Sequence, residues 1–212
     1  MRARTLGVIV AGGRGVRLGH GQPKAFAEVG GMTLLARAEA ALSGLCDEVV
    51  IAAPLGLALP PHHFAHVADA TDAAVPLAGL VAGLSARELG RAVALGVDFP
   101  LMRNEMIAAL LSRLGTRAAV IPAPGGIPQP LAAAYAPAAV APLALALSHG
   151  ERAVTAATLA LDPVIVGDGE LSRLEGGCDC FFNLNTPHDL AEAERRLSVL
   201  APARASGAKQ TT

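Results

Sequence analysis

The chain has 212 residues, of which 52% are hydrophobic and only 3% aromatic, and its formal net charge is −1. That length accommodates one sizeable α/β domain with a core of Ala, Leu and Val, and it offers neither the basic surface nor the aromatic platform that nucleic-acid binding uses; the charge balance also argues against a membrane partner. Three cysteines make no disulfide framework, no apolar run reaches bilayer length, and residues 1–5 lead into the first strand without a signal-type apolar stretch, so a cytoplasmic protein is expected.

The first element is the apolar run Val8, Ile9, Val10, Ala11, which reads as a buried strand breaking into Gly12, Gly13, Gly15 and Gly19. Arg14, Arg17 and Lys24 lie between and after these glycines. Glycines let main-chain N–H groups approach a polyphosphate, and the cations neutralise it, so the loop suits a nucleoside triphosphate. It is no Walker loop, because Gly19 is followed by His20 and Gly21. It is no dinucleotide fingerprint either, since the stretch from Gly13 to Leu18 lacks a third glycine and the next strand ends in Ala52, Ala53 and Pro54 without an acid. A plain wide turn is the bland alternative, and three cations in one loop count against it.

Residues 33–42 read as a helix closed by Gly44, and residues 48–53 as a second strand with the continuous apolar content of a doubly covered parallel sheet. Residues 64–67 predict a short strand that delivers Asp69 and Asp72 into a loop. His62, His63 and His66 follow Pro60 and Pro61 and read as loop residues rather than metal ligands, and Cys178 and Cys180 have no nearby His and read as structural. In residues 75–84, Ala78, Gly79, Ala82 and Gly83 recur at helical spacing, which allows a helix to approach either a ligand or the sheet closely.

Residues 91–100 predict a central strand ending in Asp98, at the address where open α/β sheets bind ligands. A carboxylate there suits Mg²⁺ bridging phosphate oxygens. Asp98 as a cap for a helix over 103–114 is the alternative, but four residues intervene. Strands are expected at 118–122 and up to Tyr135, a helix over 138–148, an ambiguous apolar segment over 155–161, and a strand over 163–166. Thr186, Pro187 and Asp189 make a good start for a helix running to 200. Asn183 and Asn185, at strand spacing, point to one side. The small, polar residues 201–212 read as a disordered tail, leaving 1–200 as one domain.

The segment from Val10 to Gly19, with Pro23 and Lys24, resembles the signature loop of the nucleotidyltransferases with a glycosyltransferase-A type, Rossmann-like fold. That superfamily includes sugar-1-phosphate nucleotidyltransferases, the cytidylyltransferase of the methylerythritol pathway and the molybdenum cofactor guanylyltransferases. Three further segments are similar to the last group. Pro76-Leu77-Ala78-Gly79 resembles its guanine-side segment, in which a glycine usually precedes the proline and Val75 stands here; Asp98-Phe99-Pro100-Leu101 resembles its metal motif; Asn183-Leu184-Asn185-Thr186-Pro187 resembles its closing motif.

The resemblance implies a single three-layer α/β/α Rossmann-like domain with a mostly parallel sheet. It implies GTP and molybdopterin as substrates, giving molybdopterin guanine dinucleotide and pyrophosphate, with Mg²⁺ on Asp98 and transient contact with other molybdenum cofactor maturation proteins. The catalytic residues would be Arg14, Arg17, Lys24 and Asp98. The nucleotide would be held by Ala11, Gly12, Gly13, Gly15, Lys24, Asp69, Pro76, Leu77, Ala78 and Gly79. Gln129 would lie beside the pterin, and Asn183 and Asn185 would also bind substrate, with Asn185 near the metal or a phosphate. Two other readings stay open: a cytidylyltransferase acting on molybdopterin or methylerythritol phosphate, and a nucleotide-binding protein that does no chemistry.

Overall fold

Runs of small and branched apolar residues, buried on both faces, build the sheet. The computed structural model describes residues 3–12, 22–68, 75–88 and 90–200; Gly13, Arg14, Gly15, Arg17, Asp69 and the segment 201–212 therefore lie outside the described residues. Strand β1 (Thr5–Val10) is buried along its whole length. After Lys24 comes a small hairpin of β2 (Glu28–Val29) and β3 (Met32–Thr33), joined by Gly30 and Gly31, both with positive φ (58° and 71°). A two-residue turn with φ positive at both positions matches the twist of the strands it joins, which is why two glycines stand there. Thr33 then caps α1 (Leu34–Leu42), its hydroxyl accepting from the Ala36 N–H, and Gly44 leaves that helix at φ 74°.

The chain continues through β4 (Glu48–Ala53), β5 (Ala65–Ala68), α2 (Pro76–Ser85), β6 (Arg91–Gly96), α3 (Asn104–Ser112) and β7 (Ala119–Ala123). It closes with β8 (Ala132–Tyr135), α4 (Val140–Ser148), α5 (Val154–Leu159), β9 (Val164–Gly167), α6 (Asp168–Leu171) and α7 (Pro187–Leu200). The apolar stretch over 155–161 thus resolves as helix. No strand forms around Asn183 and Asn185, contrary to the strand spacing read there: the main-chain N–H of Leu184, between them, is spent on the Asp98 carbonyl at 2.9 Å, beyond the end of β6, and not on a ladder.

The seven-stranded sheet has the order β5-β4-β1-β6-β8-β7-β9. All pairings are parallel except those of β8, which runs against both β6 and β7. That reversal positions the site. An antiparallel β8 begins where β6 ends, so Leu131, just before β8, accepts the Gly96 N–H at 2.7 Å beside the carboxyl edge of β6. Alternate residues of the strands feed two cores: Ile9, Ile51, Val93 and Leu95 pack with α1, α3, α6 and α7, while Val8, Val50, Ala92 and Ala94 pack with α2, α4 and α5. The result is three layers, helices on both faces of one sheet.

Helix α2 is pressed against β1. A Cβ at Gly83 would collide with the Val8 side chain, so at this position the small residue serves packing against the sheet.

Candidate functional site

The carboxyl ends of β1, β4 and β6 open into a cleft of about 240 Å³. It is lined by Val10, Gly12 and Ala52 at the ends of β1 and β4, by Val75, Pro76 and Gly79 at the start of α2, by Val97, Asp98 and Leu131 beyond β6 and before β8, and by Lys24 and Asn185. Four of the expected site segments, far apart in sequence, therefore meet in one place.

Its polar centre is a chain of three contacts. Lys24 donates from Nζ to Asn185 Oδ1 at 2.8 Å and forms an ion pair with Asp98 Oδ2 at 3.7 Å; Asn185 in turn donates from Nδ2 to Asn183 Oδ1 at 2.6 Å. A lysine can only donate, so the amide atom facing it must be oxygen, and the Asn185 nitrogen is thereby turned toward Asn183. Each partner has a structural reason for its place. Lys24 is buried and opens a single 3₁₀ turn, Lys24–Phe26, after Pro23. Asp98 lies in the turn that follows β6, with its Oδ1 packed so closely on Gly96 that a Cβ there would collide with it. Asn185 is fixed by its main chain: its N–H and that of Thr186 both donate to Asp189 Oδ2 at 2.8 Å, while Thr186 Oγ1 accepts from the Asp189 N–H, a reciprocal cap at the start of α7. These two N–H bonds, the Asn185 one first, hold the Asp189 carboxyl below its ordinary value.

The remaining expected residues divide. Ala11 is buried at the end of β1 and donates its N–H to the Ala52 carbonyl. Pro76 and Gly79 line the cleft, whereas the side chains of Leu77 and Ala78 are fully buried, with Leu77 in the core beneath α2. Gln129 lies in the loop before β8, where its main-chain N–H donates to the Pro122 carbonyl and its amide to the Ile127 carbonyl. Tyr135 is wholly buried and donates to the Pro130 carbonyl at 2.7 Å, so it holds that loop from below. Asp98 caps no helix: the residue before α3 is Arg103.

Gly96 and Val97 were not singled out from the sequence as site residues. A glycine at the end of an apolar strand, two residues before a carboxylate, is the signal that marks Gly96, since such a residue often permits a close approach. Among the described residues no group of three or more His, Cys, Asp or Glu side chains comes together. Burial pushes the Cys180 thiol up to about 11, and burial and then the Asp168 side chain raise that of Cys178, so both are held as thiols within the fold.

The model of the MobA-like NTP transferase domain matches residues 7–164. The chain belongs to the MobA-like NTP transferase family. A relative from Chloroflexus aggregans named "Probable molybdenum cofactor guanylyltransferase" is 34% identical over 190 residues, 87% of this chain and 90% of that protein. A 2-C-methyl-D-erythritol 4-phosphate cytidylyltransferase from Deinococcus radiodurans is 39% identical over 132 residues, 57% of this chain and 51% of that protein. Among solved structures, molybdopterin-guanine dinucleotide biosynthesis protein A from Archaeoglobus fulgidus matches with a TM-score of 0.74 at 23% identity, covering 92% of this chain and 99% of that one, a likeness of fold. As a member of the MobA-like family the protein is a nucleotidyltransferase, and no helix among its described residues is long and apolar enough to cross a membrane.

Proposed function

We propose that this nucleotidyltransferase transfers the GMP part of GTP to molybdopterin, forming molybdopterin guanine dinucleotide and releasing pyrophosphate. The reading is carried by one observation: Lys24, Asp98 and Asn185 converge at the carboxyl edge of the sheet, beside the α2 segment that resembles the guanine-side wall of the guanylyltransferases. The named relatives that cover most of the chain support the acceptor.

The chemistry asks little of side chains. A terminal phosphate oxygen of the pterin attacks the α-phosphorus of GTP, the new P–O bond forms as the bond to pyrophosphate breaks, and no enzyme nucleophile is consumed. Lys24 stabilises negative charge on the triphosphate, together with Arg14 and Arg17 of the glycine loop. Asp98 Oδ2 is a hard oxygen donor that already faces a cation, the Lys24 ammonium, and one carboxylate beside substrate phosphates is how Mg²⁺ is commonly bound, so the residue fits that ion. When bound, Mg²⁺ neutralises the triphosphate and orients it for in-line displacement. Gln129 and Asn183 face the acceptor in this reading.

The Deinococcus relative keeps a second reading in play, that of a cytidylyltransferase. Pyrophosphate release and thermal protection, measured with GTP, CTP, ATP and UTP in the presence of Mg²⁺ and molybdopterin, separate the two. Selective turnover and protection with GTP are expected; selectivity for CTP would move the protein to the cytidylyltransferases, and protection without turnover would remove the acceptor assignment.

A further inference from the structure

The carboxylate assigned to the divalent cation already has a cationic partner within the fold. Lys24 Nζ stands 3.7 Å from Asp98 Oδ2, and both side chains are largely shielded, with 10% and 24% of their surface exposed. The other carboxylate oxygen, Oδ1, is packed against Gly96, which leaves Oδ2 as the oxygen facing the ammonium. A Mg²⁺ or Mn²⁺ ion binds carboxylate oxygen at roughly 2 Å, so an ion on Oδ2 would share a single negative charge with an ammonium a few ångströms away in a partly shielded cleft.

We infer that Lys24 is the resting counter-ion of Asp98 and that nucleotide loading exchanges it for the divalent cation, so that the cation enters with the triphosphate and not before it. The inference rests on the reading of Asp98 as the cation's carboxylate. Asn185 makes the exchange workable. Its amide oxygen, 2.8 Å from Nζ, is a neutral acceptor that retains the ammonium without competing for it as a charge would, and Asn183 fixes that amide by accepting from its nitrogen. A lysine released from Asp98 therefore stays beside the incoming phosphates, where its charge is next needed.

The test is a Mn²⁺ titration of nucleotide-free protein, followed by paramagnetic broadening of the backbone amide resonances of residues 97–101. The Lys24→Met variant should broaden at Mn²⁺ concentrations lower by roughly tenfold or more than the wild type requires, reflecting the loss of a like charge at close range. Adding Asp98→Asn to it should abolish the gain. Equal midpoints in wild type and variant would overturn the exchange. The wild-type protein alone is also decisive, should Lys24→Met fail to fold: a nucleotide-free midpoint as low as that measured with a bound non-hydrolysable GTP analogue would likewise overturn it. Because no acceptor or turnover enters the titration, its outcome is independent of which base or pterin the enzyme uses.

Discussion

Gly96 decides where the Asp98 carboxylate lies. Its missing Cβ is the space that Oδ1 fills, so Gly96→Ala must rotate or displace that side chain while the strand itself, buried and tied to Leu131, holds. The expected outcome is pyrophosphate release reduced by roughly tenfold, equivalent to about 1.4 kcal/mol, with a raised Mg²⁺ requirement and little change in melting temperature. An unchanged Mg²⁺ titration would mean that the rotamer does not matter. Tyr135 gives a contrasting residue-scale effect. Its hydroxyl satisfies the Pro130 carbonyl from within the core, so Tyr135→Phe leaves a buried acceptor unpaired and should cost about 1–3 kcal/mol of stability, read by thermal unfolding. In the sequence, Lys24, Asp98 and Asn185 were each legible as chemistry at a loop or strand end. Their mutual contacts were not, because Lys24 and Asn185, 161 positions apart, carry no local signal of proximity.

At the scale of elements, most of the longer strands and helices followed from periodicity and punctuation: β4 ends where its apolar run ends, and Gly44 and Pro76 stand where α1 stops and α2 starts. What periodicity does not encode is direction. A strand buried on both faces reads as the same apolar run whichever way it points, so the reversal of β8, which brings Leu131 to the cleft, was not legible. The small-residue stripe of α2 was readable only as a choice between ligand and sheet, and the structure uses it for both: Gly79 lines the cleft and Gly83 meets Val8. That division is testable. Gly83→Ala gains helix propensity of about 1 kcal/mol but must push α2 off β1, and overpacking of this kind costs roughly 1–3 kcal/mol, so a net loss is expected. Val8→Ala in the same chain should recover part of it, and strict additivity of the two changes in a denaturant series would show that they do not meet.

Across the whole molecule, α7 is the clasp that ties the last segment to the first. Its cap fixes Asn185 beside Lys24; Glu194 accepts the Gly30 N–H of the β2–β3 hairpin at 2.7 Å; Arg196 reaches both Glu192 and Asp179 at 2.6 Å and lies over the Phe182 ring. The site is therefore held from one side by a helix whose grip is partly ionic, and acid should loosen it before the two apolar cores respond. Glu192 carries the sign. The side-chain bonds from Arg195 and then Arg196 pull its carboxyl from an ordinary 4.5 down to about 2. A group whose pKa is lower in the folded state contributes stability that is fully present above its unfolded value and is lost as the pH falls through the folded one. The wild type should accordingly exceed Glu192→Gln in stability at neutral pH, and the difference should shrink between about pH 4.5 and pH 2. Added salt should narrow the neutral-pH gap, because these charges lie at the surface. Chemical unfolding of both proteins across that range, at low ionic strength, is the measurement. Because Arg195 and Arg196 lie on α7 itself, three and four residues on, Glu192 steadies the helix that carries the clasp contacts to Asp179 and Gly30; a difference that stays constant down to pH 2 would mean that its charge contributes nothing to that helix.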